Sequence, residues 1–132
     1  MCRALLMLAL AIASGNGAAA WIFIGTTDDG SVYFDPVTIR RVGTIAKMSD
    51  LLDYKAAQKG SPKGTFLSAI SQSEYNCAEP QTRLLRFSWY SGAKGTGEEV
   101  FVNDQVGKWN PAQAGSIAEG LWKWAYGKYL KQ

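Results

Sequence analysis

The side chains of this 132-residue sequence that could do chemistry are carboxylates and two cysteines, and there is no histidine among them. Without an imidazole, neither a Ser-His-Asp triad, a Cys-His pair nor a histidine metal site can be assembled. Asp28, Asp29, Asp35, Asp50, Asp53, Glu98 and Glu99 leave a carboxylate pair conceivable. Each has a plainer reading, however. Asp28 and Asp29 sit where a turn is expected, Asp35 precedes Pro36, and Glu98-Glu99 opens a strand. Cys77 has no activating base near it in sequence. Asp28-Asp29-Gly30-Ser31 with Asp35 lacks the alternating oxygen ligands and final glutamate of a calcium loop. Gly92, Gly95 and Gly97 lack the Lys-Ser/Thr and following helix of a phosphate loop. The residues therefore lead us to expect no catalytic, cofactor-binding or metal site and no cofactor.

Binding is the other chemistry to weigh. Arg40, Arg41, Lys55, Lys59 and Lys63 fall in expected loops or at strand ends, as does Lys94. If the segments that carry the first five share one sheet edge, they form a cationic rim suited to an acidic partner. The formal charge of +3 is too balanced for nucleic acid, which needs a concentrated basic face. Trp122 is a second candidate for contact, although burial against a small sheet is the plainer use of its ring.

The first twenty residues have the three zones of an export signal. Met1-Cys2-Arg3 is a short positive start, Ala4 to Ala13 is an unbroken apolar run, and Ala18-Ala19-Ala20 is a small-residue cleavage site. The apolar run is shorter than the roughly 20 residues that span a bilayer. Cleavage after Ala20 removes Arg3 and leaves a domain over residues 21–132 with no transmembrane helix. The cleavage point has no cysteine to acylate, so the expected product is periplasmic or secreted and not lipid-anchored. Cys77 is then the only thiol left. We expect no internal disulfide, with Cys77 either free and buried or paired with another molecule.

Six β-rich runs followed by one helix are the elements expected to position these residues. Trp21 to Gly25 and Ser31 to Asp35 flank Asp29-Gly30, a hairpin signal in which glycine would supply positive φ. Proline at 36 is expected to end the second strand, and residues 39–43 to form a turn. A third strand is expected over 44–54, with Ala46, Met48, Leu52 and Tyr54 on one face. Residues 55–64 read as a loop. Strands at 65–76, 82–91 and 99–103 follow, then a loop to Gly115. Ser116-Ile117-Ala118-Glu119 has the form of a capping box, and Ile117, Leu121, Trp124, Ala125 and Lys128 follow a helical stripe. The expected class is α+β: an antiparallel sheet of about six strands with a C-terminal amphipathic helix on one face.

In order and spacing, several stretches resemble the surface-adhesin protein E-like family of Gram-negative bacteria. They are Trp21-Ile22-Phe23-Ile24-Gly25 with Asp28-Asp29-Gly30, Val32-Tyr33-Phe34-Asp35-Pro36, Ile39-Arg40-Arg41, Asp53-Tyr54-Lys55, Glu74-Tyr75-Asn76-Cys77-Ala78-Glu79, and Ser116-Ile117-Ala118-Glu119 with Leu121-Trp122-Lys123. The resemblance implies the same sheet-and-helix fold and an exported protein whose namesake is an adhesin for host extracellular proteins. It also implies that the strand cysteine matching Cys77 would pair with a helix cysteine, yet Tyr126 stands at the matching position here. Burial of Ile117, Leu121, Trp122 and Trp124 is then expected to hold the helix in place of the bridge.

The resulting expectation is a non-enzymatic exported binding protein, adhesin-like, that contacts another protein through sheet-edge loops. The partner would be a host extracellular-matrix protein or another envelope component, and self-association as a homodimer stays open. A periplasmic structural or accessory protein is the second reading. The third is a small carboxylate-dependent hydrolase using Asp28, Asp29, Asp35, Asp53 or Glu98.

Overall fold

The computed structural model describes residues 20–127. The expected signal segment and Lys128 of the helical stripe lie outside that range. Within it, seven strands and one helix follow in chain order: β1 (Ile22–Thr26), β2 (Gly30–Val42), β3 (Ile45–Ser61), β4 (Gly64–Asn76), β5 (Gln81–Tyr90), β6 (Glu99–Asn103), β7 (Asn110–Pro111) and α1 (Ile117–Ala125). The first six form an antiparallel meander in sequence order, and β7 pairs with β5. Alternation of side chains with period two explains the two-faced sheet, since directly paired residues share a face.

The strands outrun their expected ends in two places. Pro36 does not stop β2, because the register with β3 shifts between Asp35 and Arg40. Inside that bulge the Asp35 carboxylate accepts from the Val37 amide at 3.0 Å, and the Thr38 hydroxyl donates to the Asp35 carbonyl at 2.7 Å. These local bonds satisfy the backbone where the ladder is interrupted, so a proline is tolerated. Residues 55–64 form no loop either. β3 continues to Ser61 and meets Gly64 of β4 across a tight turn, with shifts of register near Gln58. Gly64 holds φ +118, a region an L side chain rarely enters.

Gly30 serves a different purpose from the one its Asp-Gly context suggests. It lies in β2 opposite Tyr54, and a Cβ there would meet the Asp53 carbonyl oxygen at 2.1 Å. The residue is needed for close approach between β2 and β3, not for a left-handed turn. The turn itself closes through the Thr27 amide, which donates to the Gly30 carbonyl at 2.8 Å.

The core lies between α1 and one face of the sheet. Phe34, Ala46, Met48, Tyr75, Leu121 and Ala125 are buried together, with Ile24, Ile39, Ile117, Trp122, Trp124 and Tyr126 packed around them. Phe34 meets Trp124 with ring centroids 4.8 Å apart. Helix α1 starts at Ser116, whose hydroxyl accepts from the Glu119 amide at 3.2 Å. Glu119 returns to the Gly115 amide at 2.9 Å, one residue earlier than the capping-box pattern places it. Beyond the helix, an aromatic series continues the same side: Tyr54, Phe66, Trp89, Phe87 and Phe101 touch in sequence, and Phe66 stacks on Trp89 at 4.1 Å.

Candidate functional site

The two faces of the sheet carry different chemistry, and the register assigns each residue to its side. Paired rows Phe34–Asp50–Ser71–Phe87 and Leu52–Ala69–Trp89 look toward the helix. On the opposite face, Arg40, Lys47, Glu74 and Arg83 form a row across β2, β3, β4 and β5. Arg86 stands on the same face one row away, opposite Gln72. Arg40, Lys47 and Arg86 are exposed. The row contains one acid, Glu74, and that acid is already held by Arg83 at 2.8 Å. Arg83 in turn lies 4.7 Å over the Trp109 ring. Among the described residues none of the three cations has an ion pair, and Arg40 turns its guanidinium back onto the Val37 and Ile39 carbonyls.

Next to this surface the bulge in β2 projects Val37, and the β2–β3 hairpin projects Val42; these residues are 67% and 81% exposed. Apolar side chains set among cations are the make-up of a protein-contact surface, because they supply area while the charges steer approach.

The other half of the helix-free face is covered by its own chain. Residues 92–97 fold back through a short 3-10 turn (Ala93–Gly95). The Ser68 hydroxyl donates to the Gly92 carbonyl at 2.7 Å and accepts from the Gly95 amide at 2.8 Å. Asp53 accepts from the Lys94 amide at 2.8 Å, and Lys94 places its ammonium 4.9 Å from the Tyr33 ring centre. Among the described residues the end near the β2–β3 hairpin stays open, with Arg40, Val42 and Lys47 exposed.

This arrangement divides the five expected contact cations. Arg40 belongs to the basic row. Arg41 faces the helix and donates from Nε to the Ala125 carbonyl at 2.8 Å, so it caps the C-terminus of α1. Burial lowers its pKa, while neighbouring Tyr126 acts in the opposite sense. Lys55, Lys59 and Lys63 lie toward the β3–β4 hairpin, at the other end of the long strands. Strands rise about 3.3 Å per residue, so Lys59 is roughly 40 Å along β3 from Lys47. No single cationic rim unites the five. Lys63 is also paired, at 3.8 Å, with Glu98. Sequence reasoning missed Lys47, Arg83 and Arg86 because it looked for cations in loops. Their signal was positional: alternate residues on neighbouring strands.

The carboxylates considered for hydrolysis do not converge. Asp28 and Asp29 occupy the β1–β2 turn, Asp35 braces the bulge, Asp53 holds the 92–97 turn, and Glu98 meets Lys63. Among the described residues no group of three or more His, Cys, Asp or Glu could hold a metal ion. The expected free thiol at Cys77 is corrected: the residue is disulfide-bonded.

The helix is fastened at the same strand end. Trp122 Nε1 donates to the Asn76 carbonyl at 2.7 Å. The Tyr126 hydroxyl lies within bonding range of both the Thr44 and Tyr75 carbonyls, the latter at 2.6 Å, and its single proton serves one of them at a time. Burial pushes the Tyr126 phenol up to about 12. Trp122 is thus an anchor of the helix and not an exposed contact. Among the described residues no helix is long and apolar enough to cross a membrane.

A helix-backed antiparallel meander in sequence order defines a small sheet-and-helix domain. The sequence profile of surface-adhesin protein E matches residues 21–125, and the chain belongs to that family. Two solved structures of Haemophilus influenzae protein E share its fold. One has a TM-score of 0.63 and 16% identity, over 90% of this chain and 94% of the other. The second, from another crystal form, has a TM-score of 0.65 and 14% identity, over 95% and 100%. A protein E structure from non-typeable Haemophilus influenzae aligns at a TM-score of 0.59 and 16% identity, over 84% and 74%. At these identities the likeness concerns the fold. No curated protein matches the sequence.

Proposed function

We propose that this protein is an exported, adhesin-like binding domain that docks an acidic protein surface onto the helix-free face of its sheet. The observation that carries the reading is the exposed group of Arg40, Lys47 and Arg86, on neighbouring rows beside Val37 and Val42, on a chain of the surface-adhesin family. Charges so placed raise the encounter rate with an acidic partner, and the two valines give the contact its apolar area. Residues 1–20 act as the export signal, and the mature chain starts at Trp21. The partner is a host extracellular protein, and no bond-making chemistry is assigned to the domain.

Two measurements test the reading. N-terminal sequencing of the exported protein should return Trp21, and recovery of the uncut chain would count against export. Binding to immobilised solubilised basement membrane should weaken steeply as salt is raised. Retention that is indifferent to salt would remove the electrostatic part of the proposal.

A further inference from the structure

The three exposed cations of the basic face are not held alike. Arg40 stands at the end of the bulge in β2, where the register with β3 resumes opposite Lys47. The Val37 and Ile39 carbonyls lie where the ladder is interrupted, and both accept from Nη1 of Arg40, at 3.0 and 2.9 Å. Bulges re-aim side chains in this way. The mount is itself braced. The Val37 amide donates to the Asp35 carboxylate, and the Thr38 hydroxyl donates to the Asp35 carbonyl while accepting from the Ser49 amide of β3 at 2.9 Å. Among the described residues no such bond holds the Lys47 or Arg86 side chain.

Two bonds on Nη1 leave the other edge of the Arg40 guanidinium, Nε with Nη2, unengaged among the described residues, on a side chain that is exposed. Guanidinium only donates, and two parallel N–H groups match the two oxygens of a carboxylate. Acids of its own chain leave this edge alone, since Asp35 is spent inside the bulge and Glu74 is held by Arg83. A side chain fixed beforehand loses little rotamer freedom on binding, so its contact is stronger than the same contact made by a free one. Val37, 67% exposed at the same bulge, adds apolar area close to the charge.

We infer that Arg40 determines the specificity of the basic face: its Nε–Nη2 edge clamps one Asp or Glu carboxylate of the acidic partner, with Val37 against the adjoining apolar part. Lys47 and Arg86 steer approach without selecting a group. The inference rests on the reading of this face as the contact surface.

One test needs no partner. At constant ionic strength, acetate should shift the NMR signal of the Arg40 Nε–H group by more than that of Arg86, and methyl acetate should shift neither. The other test uses immobilised solubilised basement membrane. Arg40→Lys keeps the charge but loses the fork, and should weaken retention roughly tenfold, as the loss of a bond to a charged group does. Lys47→Arg and Arg86→Lys should stay within about twofold of the parent, because only charge counts there. Converting the carboxylates of the matrix to amides should abolish retention of the parent, and digesting its sulfated glycans should not. Arg40→Lys retained like the parent, or equal acetate shifts at Arg40 and Arg86, would overturn the clamp while leaving a salt-sensitive basic face. Retention lost only on glycan digestion would overturn the carboxylate as the group recognised. A parent that is not retained at all contradicts the proposed function instead, and the acetate shifts then decide the clamp.

Discussion

The helix-facing side of the sheet and its opposite side differ in what they ask of the sequence. The first buries Phe34, Met48, Ala46 and Tyr75 under Leu121 and Ala125, and its residues are fixed by volume. The second leaves Arg40, Lys47 and Arg86 in water, where substitutions barely alter folding but change what approaches. The larger core therefore lies on the helix side, while the proposed recognition uses the open end of the other face, whose covered half also buries Leu51 and Ser68. Asp50 is the exception, an acid placed on the face that folds the protein.

The largest expected effect comes from the buried face. Phe34→Ala removes a fully buried ring that packs on Trp124, and should cost about 3–5 kcal/mol in chemical unfolding. A loss below about 1 kcal/mol would mean that the helix does not close over this ring.

Next is the pH dependence set by Asp50. Its folded pKa of about 7 lies above the ordinary 3.8, so between those values the folded state holds a proton that the unfolded chain releases. Stability should therefore fall as pH rises from about 4 through 7, by on the order of a few kcal/mol. Asp50→Asn should flatten that slope and stabilise the protein above pH 7. An unchanged slope would show that the carboxyl is solvated.

Tyr126→Phe is expected to have a smaller effect. It removes the hydroxyl that reaches the Thr44 and Tyr75 carbonyls, and should cost about 1–2 kcal/mol by thermal unfolding. Part of the clamp survives, because Trp122 still bonds Asn76. An unaltered melting temperature would mean that packing alone holds the helix.

How much of this could be read from the sequence depended on the kind of signal. The helix was legible because Ser116 and Glu119 mark its start and Ile117, Leu121 and Trp124 keep its period. Strand β6 was legible because Glu99 to Asn103 is short, bounded and made of valine and phenylalanine at its centre. The long arms of β3 and β4 were not. Lys55 to Ser61 has neither alternation nor β-branched residues, and its pairing with β4 comes from register shifts that a local pattern does not encode. Pro36 misled for a related reason, since the Asp35 side chain supplies the bond that the ladder lacks. The basic row was hidden because its members are far apart in sequence and meet only once β2 to β5 are in register. Arg41 differs from Arg40 by a single position, which turns it to the other face and onto the end of α1.

The comparison predicts its smallest effect on stability and its largest on binding at the same three residues. Arg40→Glu, Lys47→Glu and Arg86→Glu together should shift unfolding only slightly, by about 0.5 kcal/mol per site or less, as is usual for exposed positions. The decisive measurement is retention of this triple variant on immobilised solubilised basement membrane, beside the parent and a Lys55→Glu, Lys59→Glu, Lys63→Glu control. If the helix-free face is the contact surface, the first variant should lose salt-sensitive retention and the control should keep most of it. Equal retention by parent and first variant, or a greater loss in the control, would contradict the account.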